Sequence, residues 1–353
     1  MEYLRKSQVA TRNQKAKKVM TKNTTIALSN AKANKKDEFY TQYVDIQKEM
    51  EAYLQNDKCI FENKTIFLPC DDYDKSNFVK YFEDNFNKLK LKKLISTCYN
   101  PNGCGKIYIK EQNSSFKDYL KGNGDFRSDE ITKIRDIADF IITNPPFSLF
   151  REFMAWVSAS SAKFAILGNI NAVTCKSIFP LFEKNKVWFG ATIFSGDREF
   201  KVPKNYPLEA SGYRIDCNGE KYIRVKGVRW FVNIKYDDKN RQLALDTMQN
   251  NLFKMPKLKF KNTYQQYDNY LAIEVSQTNA IPSDYNGIMG VPISFLDKYN
   301  PKQFKILGID FYVKDGLLDN LICDKWQGKL DRAYLNGKRL YSRIFIKHIK
   351  ENI

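Results

Sequence analysis

The tetrapeptide Asn144-Pro145-Pro146-Phe147 gathers a carboxamide, fixed carbonyls and an aromatic ring directly after an apolar run, Ile137 to Thr143. Those groups suit one kind of substrate, an exocyclic amine on a flat heterocycle. In an aminopurine the amino lone pair is delocalised into the ring, so its attack on a methyl donor is slow. An Asn144 side-chain oxygen and the Pro145 carbonyl, each accepting one N–H, would hold the nitrogen nearly tetrahedral with its lone pair aimed outward. Phe147 would stack on the base. With a sulfonium as the leaving group, such a transfer needs neither a general base nor a metal.

The elements around this tetrapeptide must place it at a ligand edge. The run before Asn144 is short, β-branched and aromatic and stops at two prolines, which predicts a buried strand followed by a fixed loop. In an open α/β sheet, ligands sit at the carboxyl ends of the strands. The same grammar occurs upstream. Thr65 to Leu68 predicts a strand ending in Pro69-Cys70-Asp71-Asp72, then a helix over Asn77 to Asn87 with Phe78, Tyr81, Phe82 and Phe86 on one side. Strand, acidic turn and helix form a nucleotide-site unit, although taken alone the two aspartates fit helix capping better. Lys93 to Thr97 predicts the next strand, Tyr99 to Gly105 a turn, Ile107 to Lys110 a β excursion, and Gly122 with Gly124 a tight turn before Asp125 and Phe126. A helix over Ser128 to Ile137, a helix over Leu149 to Ala159 and a strand over Phe164 to Leu167 complete the alternation. The fold class is α/β, a doubly wound parallel sheet.

Composition narrows the chemistry. The single histidine, His348, leaves no material for histidine triads or multi-histidine metal sites. Seven cysteines form no Cys-x-x-Cys pair and read as reduced thiols, so no metal is expected. The chain has 353 residues, 43% of them hydrophobic, enough for two folded domains. No apolar run approaches a membrane span and the start lacks a signal-like segment, so a cytoplasmic protein without membrane association is expected. A net charge of +18 calls for a polyanionic partner, nucleic acid first and anionic membrane second. Residues 1–36 carry ten Lys or Arg against one acid, Glu2. They read either as an arm that wraps a phosphate backbone or as a solvated terminus.

Several separated pieces resemble the EcoRI-type family of adenine-specific DNA methyltransferases. These are Asp-Glu-Phe-Tyr-Thr-Gln (37–42), Pro-Cys-Asp-Asp with Ser-Asn-Phe-Val-Lys-Tyr-Phe (69–82), Gly-Asp-Phe-Arg-Ser (124–128) and Asn-Pro-Pro-Phe-Ser-Leu-Phe-Arg-Glu (144–152). Ser-Gly-Asp-Arg-Glu-Phe (195–200), Met-Gly-Val-Pro-Ile-Ser-Phe-Leu (289–296) and Asn-Gly-Lys-Arg-Leu-Tyr-Ser-Arg-Ile (336–344) follow in order. The resemblance implies S-adenosyl-L-methionine as cofactor and a Rossmann-like methyltransferase sheet. It matches Phe39, Tyr40 and Thr41 to the segment against the methionine end of the cofactor. Pro69, Cys70, Asp71 and Asp72 match the first cofactor loop, Asp125 and Phe126 the pair at the cofactor adenine, and Asn144 to Phe147 the catalytic loop, with Asn144 also facing the cofactor. The first loop lacks the glycine-rich pattern of most relatives, and the second strand has no clear acidic end for the ribose.

The expected organisation is a basic arm over 1–36, a catalytic domain over 37–235 and a target-recognition region with a C-terminal strand over 236–353. Val187 to Gly190 and Val228 to Ile234 predict two strands closing the sheet, with a basic insertion between them. Farther on, Lys254, Lys257, Lys259 and Lys261 alternate with Phe253, Leu258 and Phe260 before Tyr264, Tyr267 and Tyr270. This mixture fits a nucleic-acid face and equally an edge strand with a tyrosine core. The implied partner is double-stranded DNA, met by a monomer that extrudes its target base. The implied setting is restriction-modification or phage protection, which admits a cognate endonuclease acting on the same site. Three alternatives stand beside this reading: an RNA adenine N6-methyltransferase, a protein glutamine methyltransferase, for which Tyr rather than Phe is usual at position 147, and a catalytically silent DNA-binding protein.

Overall fold

The computed structural model describes residues 40–193, 197–204, 213–237, 239–255, 263–316 and 318–349. The proposed basic arm, Phe39, Ser195 and the lysines at 257, 259 and 261 lie outside them.

The first strands form because their residues are apolar on both sides. β1 (Thr65–Leu68) and β5 (Phe140–Thr143) are buried along their whole length, as expected of parallel strands covered on both faces. β2 (Lys93–Cys98) pairs parallel with β1, β1 with β5, and β5 with β6 (Lys163–Asn169). β3 (Lys106–Glu111) and β4 (Ser114–Tyr119) extend one side antiparallel. On the other side, β7 (Trp188–Phe189) pairs antiparallel with β11 (Val228–Val232), and β11 antiparallel with β6. The eight-stranded order is β4-β3-β2-β1-β5-β6-β11-β7. Strands β2 to β4 are added on one side of β1, and β5 and β6 on the other, so the order of strand addition reverses between the parallel β1 and β5. That is the topological switch point, where the loops after both strands leave side by side.

Alternate residues feed two cores. Ile66, Leu68, Phe140, Ile142 and Leu167 pack with α1 (Tyr43–Asn56) and α2 (Asn77–Asp84) on one face. Phe67, Ile141 and Ile166 pack on the other with α3 (Asp129–Asp136), α4 (Phe150–Ser158) and α5 (Phe179–Glu183). The doubly wound α/β expectation is therefore met.

Between β7 and β11, the inserted strands β8 (Asp197–Val202), β9 (Tyr213–Ile215) and β10 (Lys221–Lys226) make an antiparallel sheet of order β8-β10-β9. After α6 (Met248–Lys254), the C-terminal part builds a four-stranded sheet from β12 (Ile273–Glu274), β13 (Met289–Pro292), β14 (Phe304–Ile309) and β17 (Arg343–His348), in the order β12-β13-β17-β14. A hairpin of β15 (Tyr334–Leu335) and β16 (Lys338–Arg339) projects from it. Met289, Val291, Phe304 and Ile344 join the same core as α4, so this sheet packs against the eight-stranded one. Tyr264, Tyr267 and Tyr270 are all buried, which settles them as core residues rather than a nucleic-acid face.

Some boundaries move. Strand β5 starts at Phe140 because Ile137 is 64% exposed and the Asp139 carboxylate is taken up at the surface, Oδ2 accepting from the Thr65 N–H at 2.8 Å and Oδ1 lying 3.5 Å from Lys64. Helix α2 stops at Asp84, and Phe86 and Leu89 reach the core from the turns that follow. No described helix is long and apolar enough to cross a membrane.

Candidate active site

The loop after β1 is fixed to its neighbours through its backbone. Thr97 Oγ1 donates to the Pro69 carbonyl at 3.2 Å, Ser96 Oγ to the Asp71 carbonyl at 2.6 Å, and the Asp71 N–H to the Thr97 carbonyl at 2.9 Å. The buried Asp71 carboxylate then joins three elements. Its Oδ1 accepts from Ser76 Oγ and its Oδ2 from Thr143 Oγ1, each at 2.6 Å. Ser76 is the N-cap of α2, with its hydroxyl accepting from the Phe78 and Val79 N–H groups. Asp71 thus supports the cap without being it. Burial pushes Asp71 up to about 6, against the Ser76 and Thr143 hydroxyls that favour its charged form.

Cys70 lies half-buried at the same point, where burial and then the Asp71 charge push its thiol up against a hydrogen bond from Thr143 that lowers it; Asp125 and Cys98 act more weakly. Asp72 turns outward to Lys106, 3.3 Å away, which also meets Asp74 at 3.0 Å.

The turn carrying Asp125 folds against the end of β2. Gly124 has φ +82°, and a Cβ there would lie 2.4 Å from the Cys98 carbonyl oxygen, so no side chain fits. The Asp125 carboxylate accepts from Arg127 Nε at 2.9 Å and Nη2 at 2.5 Å, which holds it below the usual carboxylate range. The Phe126 ring is buried edge-on against Phe153 and Trp156. A contact from this residue to the cofactor adenine would therefore come from its backbone, the ring being committed to the core.

Asn144 follows the buried Thr143 and begins the loop Asn144 to Phe147; its Oδ1 is shielded from solvent. The prolines give way to a 3-10 turn, Phe147–Leu149, in which the Leu149 N–H donates to the Pro146 carbonyl at 3.0 Å. Phe147 meets Phe200 of β8 edge-to-face, centroids 6.5 Å apart. Next to Phe200, Lys201 exchanges two backbone hydrogen bonds with Tyr40, at 2.9 and 3.2 Å. Thr41 is buried; its carbonyl accepts from Asn77 Nδ2 at 2.8 Å, which lays this segment over the start of α2.

The structure therefore brings Tyr40, Thr41, Pro69 to Asp72, Asp125 and Asn144 to Phe147 to one edge of the sheet. It adds residues that sequence reasoning did not assign. Ser76, Thr143 and Phe200 support the loops directly. Glu49, fully buried on α1, accepts from Tyr53, Thr192 Oγ1 and the Ala191 and Thr192 N–H groups, fixing the segment that leads toward β8. Ser76 had a usable signal, a hydroxyl just before an amphipathic run; the others depend on contacts across 50 to 140 residues. Among the described residues no group of three or more His, Cys, Asp or Glu could hold a metal ion.

The fit to S-adenosyl-L-methionine can be tested on Thr41. Its buried hydroxyl has no hydrogen-bond partner among the described residues. A polar group of a bound cofactor would satisfy it, as a buried hydroxyl requires.

A mostly parallel sheet whose first-strand loop meets an Asn-Pro-Pro-Phe loop at the switch point has the architecture of a methyltransferase. Comparison with known proteins gives the family. The family model described as Adenine-specific methyltransferase EcoRI matches residues 27–119 and 105–349. The Type II methyltransferase M.EcoRI of Escherichia coli is 37% identical over 341 residues, covering 91% of this chain and 96% of that protein. M.MgeORF184P of Mycoplasma genitalium is 37% identical, covering 90% and 97%, and M.MpnI of Mycoplasma pneumoniae 35%, covering 92% and 98%; both are named Type II methyltransferases. No solved structure gives a significant match. The chain belongs to the EcoRI family of adenine-specific methyltransferases, and the enzyme class expected from its motifs is borne out.

Proposed function

We propose that the protein transfers a methyl group from S-adenosyl-L-methionine to N6 of adenine within a short sequence of double-stranded DNA. The observation that carries this reading is the junction of two loops, with Asp71 of the first hydrogen-bonded to Thr143, the residue before Asn144. A donor held by the first loop and an amine held by the second would meet there. The family assignment and the charge of +18 support a nucleic-acid substrate.

The cofactor, when bound, supplies an electrophilic methyl group on a sulfonium. The chain's own residues do the rest. Asn144 Oδ1 and the Pro145 carbonyl accept the two amine hydrogens and draw the nitrogen lone pair out of conjugation. Pro145 and Pro146 fix the loop that presents those acceptors. Phe147, braced by Phe200, stacks on an adenine extruded from the duplex, replacing part of the stacking lost on flipping. Thr41, with Phe39 and Tyr40, takes the methionine end of the cofactor, Pro69 to Asp72 its middle, and Asp125 with the Phe126 backbone its adenine. Residues 37–235 act as the catalytic part and 236–353 as the part that reads the target. The enzyme works as a cytoplasmic monomer, the modification half of a restriction-modification or phage-protection system.

Incubating purified protein and cofactor separately with DNA and RNA, then identifying the methylated nucleoside by mass spectrometry, tests this reading. N6-methyladenosine from RNA alone, or no methylated nucleoside from either, would refute it.

A further inference from the structure

Within β15 and β16 sits a tight turn whose geometry is fully specified. Asn336 and Gly337 both have positive φ, 51° and 72°, the pattern of a two-residue hairpin loop. Asp268 accepts from both of their N–H groups, at 3.1 and 2.8 Å, and the Leu340 N–H donates to the Ala333 carbonyl at 2.9 Å. The hairpin is therefore held firmly. What it displays is polar and basic: Lys338 and Arg339 are exposed, and Tyr341 just beyond them is 91% exposed.

This hairpin forms one wall of a cleft of about 440 Å³. Arg332, Arg339 and Tyr341 line that wall, while Asn171 and Thr174 line the opposite one. Asn171 and Thr174 belong to the segment leaving β6, the strand beside the one that ends in the Asn144 loop. Part of the cleft lining thus lies at the same edge of the sheet as the Asn144 loop. Tyr312 ties its two sides together by donating to the Thr174 carbonyl at 2.5 Å.

Charge in the cleft is only partly compensated. Asp331 engages one edge of Arg339, through Nε and Nη2. The guanidinium of Arg332 lies 4.7 Å over the Phe311 ring and donates to the Asp331 carbonyl. Among the described residues Arg332 forms no ion pair. A guanidinium braced by an aromatic ring and a backbone carbonyl, with a second half-exposed guanidinium beside it, matches the fork geometry of phosphate recognition.

From this geometry we infer that the hairpin cleft grips the sugar-phosphate backbone of the DNA strand next to the target adenine. Arg332 and Arg339 meet phosphates and Tyr341 packs on the sugar. The inference rests on the DNA reading above and deepens it. Contacts of this kind position the duplex without reading its sequence.

Equilibrium binding to a short duplex across a salt series tests the cleft, with the full-length wild type, Arg332→Gln/Arg339→Gln and Tyr341→Ala. Neutralising two phosphate contacts lowers the slope of log affinity against log salt by about two. The double variant should show that loss, weaken binding equally on duplexes with and without the methylated sequence, and leave that sequence and cofactor binding unchanged. Tyr341→Ala should weaken binding with its slope intact. Wild-type binding with an unaltered slope in the double variant would overturn the cleft while sparing the DNA reading, and so would a change in the sequence methylated. A wild type that binds no duplex at any salt would overturn both.

Discussion

Thr143 Oγ1 donates to Asp71 Oδ2 at 2.6 Å with both side chains buried, joining the first loop of the sheet to the residue immediately before Asn144. The two loops cannot shift independently while this bond holds. Replacing Thr143 by Val keeps the shape and removes the donor. A buried acceptor left unsatisfied costs about 1–3 kcal/mol, so the urea midpoint should fall accordingly. Turnover should fall more than DNA affinity, because the geometry lost lies between donor and acceptor. Unchanged turnover would separate Asp71 from the positioning of Asn144.

Asp71 also predicts a pH dependence. Its pKa is about 6 in the folded protein against an ordinary value of 3.8. Between those limits the folded state binds more protons than the unfolded one, so the contribution of Asp71 to stability falls as pH rises from about 4 to about 6 and is level above. Two units of displacement correspond to about 3 kcal/mol at most. Asp297 and Asp310 are raised as well, so the comparison is with Asp71→Asn. The stability difference between the two proteins, measured by denaturant titration at each pH, should shift across that window in the direction stated.

The eight-stranded and C-terminal sheets are joined by Arg229 on β11 and Asp297, with Nε to Oδ1 at 2.9 Å and Nη2 to Oδ2 at 3.2 Å. Their side chains are 5% and 6% exposed. Replacing Arg229 by Met strands a buried carboxylate and should cost about 3–5 kcal/mol, whereas adding Asp297→Leu should recover most of it. Thermal or urea unfolding of the single and double variants measures both.

How far the sequence could be read depended on how local each determinant was. β1 and β5 were legible because each is a short apolar run buried on both faces and stopped by proline. Ile137 misled because an apolar residue at the end of α3 extends that run while facing solvent. β4, Ser114 to Tyr119, carries no apolar alternation and is exposed throughout; only its pairing with β3 makes it a strand. The Asn144 to Phe147 tetrapeptide and the Pro69 to Asp72 turn were visible as motifs. Their connection was not, since Asp71 and Thr143 are 72 residues apart and neither side chain announces the other. The tyrosines at 264, 267 and 270 were ambiguous for a similar reason, as what buries them comes largely from later strands.

The most direct test of the whole account is base-resolution sequencing for N6-methyladenine on unmethylated plasmid treated with the wild type or with Asn144→Ala, beside a DNA-binding measurement on both. The account predicts methylation at one short motif by the wild type, none by the variant, and nearly equal binding. Methylation by Asn144→Ala at the wild-type rate would contradict the amine-acceptor role of Asn144, and a wild type that binds the cofactor but leaves the plasmid unmodified would contradict the proposed substrate.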